Sequence, residues 1–188
     1  SKAFDLVGHT ILIQKLSFYG LHTSATDWFN SNLNSRTQIT SITSINSYQE
    51  NSKLVEVTDG VPQCSVLGPI LFLIYTNDLP LSLSNSIADI FPDDTTLSVH
   101  SNSLDEVFIT RYTIQVDTWI KQNRMSKNST KSKVLFITSK GNSSRLVTAQ
   151  PQIHLNDFLI ETCSSAKFLG EPVTTSLSWS THKHDVII

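Results

Sequence analysis

Two adjacent aspartates, Asp93 and Asp94, lie between two short apolar runs, and this arrangement constrains the fold more than any other feature of the chain. The runs, residues 87–91 and 95–99, contain β-branched and aromatic residues that favour strands. The pattern therefore predicts a β-hairpin with both carboxylates at its tip. Adjacent like charges repel each other, so we expect them to be solvated or to bind a cation. An ordinary solvated turn is the alternative, because Asp is common in turns.

The composition indicates a folded domain with a hydrophobic core. Of 188 residues, 39% are hydrophobic and 16% are charged, which excludes a disordered tail. No run is long and apolar enough to span a bilayer, so no membrane partner is expected. The net charge of -2 argues against strong stand-alone binding of nucleic acid. The two cysteines show no metal-binding spacing, and the expected setting is reduced and intracellular, either nuclear or cytoplasmic.

Hydrophobic periodicity predicts two helices in the first 35 residues. Residues 9–19 carry apolar side chains at helical spacing, and Gly20 suits the C-cap. Ser24 with Asp27 resembles a capping box at the start of the second helix. The buried face of that helix is expected to comprise Trp28, Phe29 and Leu33.

Two further helices are predicted downstream. Ser65 is expected to cap a helix over residues 66–77, which is apolar nearly all round and is therefore predicted to be buried. A long helix is predicted over residues 104–122. Its core candidates are Leu104, Val107, Phe108, Ile114, Trp119 and Ile120.

The remaining segments favour strands and loops. Alternating or short apolar runs predict strands at residues 37–47, 54–58, 134–138, 153–155, 158–160 and 166–169. Asn156-Asp157 marks a hairpin turn, and the polar residues 141–149 favour a loop. This order predicts an α+β fold in which helices pack on one face of an antiparallel sheet, followed by a β-rich C-terminal tail.

Four sequence blocks occur in a recognisable order. They are SKAFD at residues 1–5 with His9 and Leu12 behind it, GVPQCSVLGPILF at 60–72, FPDDT at 91–95, and KFLG at 167–170 followed by LSWSTH at 177–182. In order and spacing these blocks closely resemble the reverse transcriptase domain of non-LTR, LINE-type (jockey-like) retrotransposons. The resemblance covers nearly the whole chain, and it implies a polymerase palm.

The resemblance also implies a domain organisation. Residues 1–140 match a palm-like core without its N-terminal fingers, and residues 141–188 match the primer grip and the start of the thumb. We expect the chain to be a piece of a longer polyprotein that contains fingers and endonuclease regions upstream.

The implied activity is RNA-directed DNA synthesis, with an RNA template, a DNA primer, dNTPs and Mg²⁺ (or Mn²⁺). Such transfer uses two ions about 3.5–4 Å apart, held by hard oxygen ligands. Asp93 and Asp94 match the tandem metal ligands of the family. The family's third carboxylate stands two residues before the position of Ser1. Asp5 matches a residue that is not a ligand, and a first-turn helix charge is the favoured interpretation.

The resemblance also implies residues that contact the incoming nucleotide. Phe4 matches the bulky gate against the nucleotide 2′-hydroxyl, or it is an ordinary core aromatic. The residues expected to contact nucleotide and template are Gly60, Pro62 and Gln63. Lys131, within N-S-T-K-S-K, matches the general acid for pyrophosphate, and a solvated basic turn is the alternative.

The C-terminal block matches a hairpin that grips the primer end. The residues concerned are Phe168, Leu169 and Gly170. The family's apolar strand is interrupted here by Glu171-Pro172, while Trp179 and His182 are assigned structural roles.

Two departures from the family pattern support a second hypothesis. Cys64 stands where the family has Gly, and Pro92 stands where it usually has Ala. The alternative is a catalytically inactive retrotransposon remnant with at most a structural or binding role. A metal-dependent hydrolase built on the Asp pair would need a further ligand nearby, and Asp89 is the one near candidate.

Overall fold

The described part of the chain contains four α-helices and twelve short β-strands. The computed structural model describes residues 3–45, 48–62, 65–84, 86–91, 94–100, 106–128, 130–138, 152–155 and 158–177. The helices are α1 (His9–Phe18), α2 (Thr23–Leu33), α3 (Leu67–Thr76) and α4 (Glu106–Gln122), and short 3₁₀ helices cover Phe4–Leu6 and Pro80–Ser82. None of the described helices is both long and apolar enough to cross a membrane.

The described strands pair two by two. They are β1 (Arg36–Gln38), β2 (Ser41–Thr43), β3 (Gln49–Asn51), β4 (Val55–Val57), β5 (Ser86–Ile90), β6 (Thr95–Val99), β7 (Lys133–Leu135), β8 (His154–Leu155), β9 (Phe158–Leu159), β10 (Glu161–Cys163), β11 (Ser165–Phe168) and β12 (Glu171–Thr174). The pairs β1–β4, β2–β3, β8–β9 and β11–β12 are antiparallel, and β7 pairs with β10 in parallel. Strands β5 and β6 pair as neighbours. Helices with mainly antiparallel strands confirm the predicted α+β class.

The chain divides into two compact units. Unit 1 comprises Ser1–Leu79, Ile90–Thr95 and Lys121–Ser126, and unit 2 comprises Pro80–Asp89, Thr96–Ile120 and Lys127–Ile188. Both units therefore combine segments that are distant in sequence. The functional boundary expected near residue 140 stays a prediction.

Helix α1 forms the centre of the unit 1 core. Leu12 and Leu16 lie one turn apart on its buried face, as the helical spacing predicts. Gly20 has a φ of 87°, and the N–H of Leu21 donates to the carbonyl of Leu16 at 3.1 Å. This is the hydrogen-bond pattern of a Schellman cap, so the predicted role of Gly20 is confirmed.

Helix α2 begins differently from the prediction. His22, not Ser24, is the N-cap, and its Nδ1 accepts from the N–H of Ser24 at 3.3 Å. Thr26 and Leu33 are buried on the core-facing side of the helix, whereas Trp28 is 53% exposed. The expected burial of Trp28 was therefore wrong, because Trp28 lies off the stripe on which Thr26, Phe29 and Leu33 recur.

Helix α3 has one buried face, not the complete burial predicted from its composition. Leu71, Phe72 and Tyr75 are buried, whereas Ile70 is 49% exposed and Leu73 is exposed as well. The periodicity of the helix presents these two sets to opposite sides. Apolar composition alone could not decide which side meets the core.

Tyr75 connects three segments of unit 1. Its side chain is fully buried, and its hydroxyl donates to the carbonyl of Asn123 at 2.6 Å. The same oxygen accepts from the N–H of Gly8 at 3.3 Å. A single phenol thus satisfies one backbone group before α1 and another just after α4.

Lys15 on α1 lies against the C-terminal end of α3. Its ammonium donates to the carbonyl of Tyr75 and to Asp78 Oδ1 at 2.8 Å, and it lies 4.8 Å from the centre of the Tyr75 ring. A cation is favourable at a helix C-terminus. Burial lowers the pKa of Lys15, and Asp78 partly opposes that change, while burial raises the pKa of Tyr75.

The β1–β4 and β2–β3 ladders replace the single strand predicted over residues 37–47. Between them, the N–H of Thr40 donates to Ser52 Oγ at 2.9 Å, and the N–H of Ser52 donates to the carbonyl of Thr40 at 2.8 Å. A side-chain oxygen therefore takes the place of a carbonyl, which interrupts the ladder.

Unit 2 has its own small apolar cluster. Ile153, Leu155 and Ile160 are buried around the predicted β8–β9 hairpin. On α4, Trp119 is buried as predicted, but Ile114 is 59% exposed, so its expected burial was wrong.

Three described side chains of α4 are buried, and they are Tyr112, Asp117 and Trp119. Tyr112 and Trp119 lie two turns apart, and Asp117 pairs with Lys127. Because a buried carboxylate needs a partner, this ion pair explains how the helix buries a charge. The side chains of Leu104, Val107 and Phe108, the loop at 141–149, and Trp179 and His182 lie outside the described residues.

Replacing Tyr75 by Phe should destabilise the chain. The substitution keeps the ring but removes the hydroxyl that bonds Gly8 and Asn123, so we expect the free energy of unfolding to fall by about 1–3 kcal/mol. Tyr19→Phe is the matched control, because Tyr19 is exposed and its hydroxyl accepts from Asn77 Nδ2 at 3.1 Å. Urea unfolding measures both variants, and equal losses would contradict the bridging role of Tyr75.

Candidate functional site

Asp94 lies at the end of the β5–β6 hairpin. Phe91 and Asp94 exchange two backbone hydrogen bonds, 2.9 Å from the Phe91 N–H and 3.0 Å from the Asp94 N–H. Such a reciprocal pair occurs in antiparallel strands. Asp94 is exposed at this end of the hairpin and not in a helix, whereas Pro92 and Asp93 lie outside the described residues.

The described residues contain one of the two predicted metal ligands. Among them, no group of three or more His, Cys, Asp or Glu side chains is arranged to hold a metal ion. The Asp94 carboxylate is of the right chemistry, since Mg²⁺ and Mn²⁺ prefer hard oxygen ligands and Mg²⁺ keeps several waters. It therefore fits a divalent ion as one ligand of an incomplete set.

Gly60 lies directly against the segment that contains Phe4 and Asp5. Its φ is 93°, and a Cβ there would stand 3.0 Å from the Cα of Asp5. Its N–H donates to the carbonyl of Val7 at 2.8 Å, and the N–H of Val61 donates to the carbonyl of Phe4 at 2.9 Å. The first and second sequence blocks are thus joined through their backbones, at a point where only glycine fits.

The Ser65 side chain bonds to both Pro62 and Gly68. The Ser65 hydroxyl donates to the carbonyl of Pro62 at 2.8 Å and accepts from the N–H of Gly68 at 2.9 Å, which confirms its predicted capping role. A Cβ at Gly68 would stand 2.4 Å from the Pro62 carbonyl oxygen. These contacts give a physical reason for the P-x-x-S-x-x-G spacing. Gln63 and Cys64 lie outside the described residues.

Phe4 is half-buried in a 3₁₀ helix. Its ring stacks on Phe72 of α3 with centroids 4.8 Å apart and an angle of 30° between the planes. It therefore packs against the core, as the alternative interpretation of a core aromatic requires. Asp5 is exposed in the same first turn.

Lys131 lies in a compact polar turn of unit 2. The carbonyl of Asn128 accepts from the N–H groups of Lys131 and Ser132, each at 3.1 Å. Asn128 Oδ1 accepts from the Thr130 hydroxyl at 2.6 Å. The turn leaves Lys131 exposed.

The Phe168–Gly170 segment forms the turn of the β11–β12 hairpin. Phe168 pairs with Glu171, and the two residues between them, Leu169 and Gly170, have φ values of 49° and 93°. Two successive positive φ values are the signature of a type I′ turn. Pro172 lies within β12 opposite Lys167, so the strand continues through the proline.

The structure brings together some predicted site residues. Phe4 and Gly60 are in direct contact within unit 1, to which Pro62 and Asp94 also belong. Lys131 and the Phe168–Gly170 turn belong to unit 2.

Sequence reasoning missed two polar interactions of unit 1. They are the bond from the Tyr75 hydroxyl to the carbonyl of Asn123 and the bond from His9 to the carbonyl of Gly60. His9 was noted as part of a sequence block, but no sequence signal indicated its partner.

Comparisons with known proteins identify the family. Residues 1–173 match the family described as reverse transcriptase (RNA-dependent DNA polymerase). This chain belongs to that family. The resemblance to the reverse transcriptase domain of non-LTR retrotransposons, drawn from the sequence blocks, is thereby confirmed.

Two relatives of this reverse transcriptase chain come from transposons of Drosophila melanogaster. This chain is 28% identical over 136 residues to a probable RNA-directed DNA polymerase from transposon X-element. It is 32% identical over 132 residues to a probable RNA-directed DNA polymerase from transposon BS. The matches cover 69% and 65% of this chain. The chain spans 14% of the length of each relative.

Replacing Gly60 by Ala should lower the free energy of unfolding by more than the positive φ alone explains. A positive φ costs a non-glycine residue roughly 1–2 kcal/mol, and at Gly60 the new methyl group also meets the Asp5 backbone. Gly20→Ala is the control, since φ there is 87° and nothing lies within 4 Å of the added Cβ. Equal losses of unfolding free energy, measured in urea, would show that the close approach is unimportant.

Proposed function

We propose that this chain is the palm portion of an RNA-directed DNA polymerase of a non-LTR retrotransposon. In this proposal it transfers nucleotides from dNTPs to a DNA primer on an RNA template, within a longer polypeptide that supplies fingers and endonuclease regions. The observation that carries the proposal is the position of Asp94 at the end of a β-hairpin in a member of the reverse transcriptase family.

The proposed chemistry assigns the metal site to Asp93 and Asp94. A bound Mg²⁺ or Mn²⁺ would supply the positive charge that activates the primer hydroxyl and neutralises the leaving pyrophosphate. The hairpin's part is to hold both carboxylates on adjacent positions of a tight turn. The family's third carboxylate would come from the position two residues before Ser1.

The nucleotide side is assigned to the Gly60–Gln63 segment and Phe4. Pro62 follows shortly after Gly60, whose backbone lies close to those of Phe4 and Asp5. Gln63 is the next residue in the sequence. The Gln63 amide can donate and accept at once, which suits contacts to a base pair or a sugar. The Phe4 ring would exclude the 2′-hydroxyl by shape, and its stacking on Phe72 would keep it rigid for that purpose.

The remaining roles fall to unit 2. Lys131, exposed in its turn, would donate a proton to the leaving pyrophosphate. The exposed turn of residues 168–170 would contact the primer end. On this proposal, residues 1–140 form a palm with an antiparallel sheet backed by helices, and residues 141–188 form the primer grip and the start of the thumb.

A catalytically inactive remnant is the second candidate, and two sequence observations favour it. Cys64 adds a side chain where the family has Gly, and Pro92 removes a backbone donor next to the metal ligands. A displacement of about 1 Å at a catalytic group can cost on the order of 10²-fold in rate.

Paramagnetic Mn²⁺ tests the metal site in the 188-residue chain. We expect Mn²⁺ to broaden the amide resonances of Asp94 and Thr95 before those of other residues. The double variant Asp93→Asn, Asp94→Asn should abolish this selectivity. Asp89→Asn should retain it, because Asp89 is an exposed carboxylate within β5 and is not a metal ligand in the proposed polymerase site. Loss of the selectivity in this variant would instead favour the metal-dependent hydrolase, in which Asp89 is the further ligand. Broadening that persists in the double variant would refute the assignment.

A primer-extension assay distinguishes the polymerase hypothesis from the remnant hypothesis. The 188-residue chain alone should not extend a labelled primer on an RNA template, since it holds two of the three family carboxylates. A polypeptide that includes the upstream carboxylate and fingers should extend it, and Cys64→Gly with Pro92→Ala should raise the rate. The Asp93→Asn, Asp94→Asn variant sets the background. If the extended polypeptide that keeps Cys64 and Pro92 stays at that background, the proposed polymerase activity fails, and recovery in the repaired variant would assign the loss to these two residues as the remnant hypothesis requires.

A further inference from the structure

His9 is a buried polar residue that has no part in the proposed chemistry. It is the first residue of α1 and is 4% exposed. Its Nε2 lies 2.7 Å from the carbonyl oxygen of Gly60. Because a carbonyl oxygen only accepts, Nε2 must carry the hydrogen of this bond, and in the neutral ring the lone pair is then on Nδ1.

The other ring nitrogen has no such bond. Nδ1 is buried and has no hydrogen-bond partner among the described residues. A buried polar atom without a partner is unfavourable, so an apolar side chain would serve better if His9 only filled space. In the described part of the chain, the bond to Gly60 is therefore the distinctive contribution of this ring.

With that bond, both polar groups of one peptide unit are hydrogen-bonded. The Gly60–Val61 peptide has its carbonyl held by His9 and its N–H held by the carbonyl of Phe4 at 2.9 Å. The preceding N–H, that of Gly60, is held by Val7 at 2.8 Å. Glycine rotates more freely than any other residue, so without these bonds Gly60 would be the natural hinge of the segment that follows.

We propose that His9 is a positioning residue, which fixes the Gly60–Val61 peptide and so sets the direction in which the chain continues into Pro62. Its effect on nucleotide binding rests on the proposed function, in which Pro62 and Gln63 contact the incoming nucleotide. Its effect on the peptide itself does not depend on that function.

Hydrogen exchange in the 188-residue chain tests the effect on the peptide. His9→Gln places an amide N–H near the position of Nε2, whereas His9→Asn is too short to reach it and His9→Phe has no donor. Exchange of the Val61 amide should accelerate about tenfold in the Asn and Phe variants, as expected for the loss of one hydrogen bond. The Gln variant should restore most of the protection.

The Leu12 amide is the internal reference for this experiment. It donates to the carbonyl of Gly8 at 2.9 Å at the start of α1 and is not itself bonded to Gly60. If Leu12 accelerates as much as Val61, His9 acts on global stability and the inference is overturned. It is also overturned if Val61 is unchanged in the Asn and Phe variants, or if ¹⁵N shifts of the neutral wild-type ring place the hydrogen on Nδ1.

Kinetics in the extended polypeptide test the effect on nucleotide binding. His9→Asn should raise KM for dNTP about tenfold with a smaller change in kcat, and His9→Gln should restore most of the affinity. An equal loss in both variants, or a change confined to kcat, would overturn this part of the inference. If the wild-type polypeptide shows no extension, the proposed function fails, while the exchange result still decides whether His9 fixes the peptide.

Discussion

The close approach of Gly60 to the backbone of Phe4 and Asp5 is the constraint on which unit 1 depends. With a φ of 93° and 3.0 Å between a Cβ there and the Asp5 Cα, the position accepts glycine alone without a shift of the backbone. The approach lets the Gly60 and Val61 amides bond the carbonyls of Val7 and Phe4. Two blocks that are more than fifty residues apart in sequence thereby become one structural element.

Polar bonds inside the apolar core give this element its orientation. Tyr75 bridges Gly8 and Asn123, and Lys15 caps α3 while it pairs with Asp78. Hydrophobic contacts among leucines are not directional, whereas each of these bonds requires one geometry. The core thus derives its cohesion from apolar burial and its register from a few buried polar groups.

The proposed site differs in character from this core. Asp94, Lys131 and the turn at 169–170 are exposed and lie at the ends of hairpins or in turns. Functional residues are often found on connections that a rigid scaffold positions. The scaffold of unit 1 can be rigid because Tyr75 and Lys15 are paired inside it, while the carboxylate of Asp94 at the hairpin end remains accessible to solvent and to ions.

Local patterns in the sequence were sufficient for several elements. The β5–β6 hairpin, the helix with its Gly20 cap, the Ser65 cap and the β8–β9 hairpin each depend on residues close in sequence. The four ordered blocks likewise identified the family. These features are predictable because propensity, capping and turn chemistry act within a few residues.

Only the tertiary structure decided which faces are buried and which distant groups meet. Composition indicated a wholly buried α3, yet one side of it faces outward, and Trp28 lies exposed where Thr26 is buried. Nothing in the sequence near His9 or Tyr75 reveals that their partners are Gly60 and Asn123. Burial and long-range hydrogen bonds depend on how the elements pack against one another, and a local pattern contains no information about that packing.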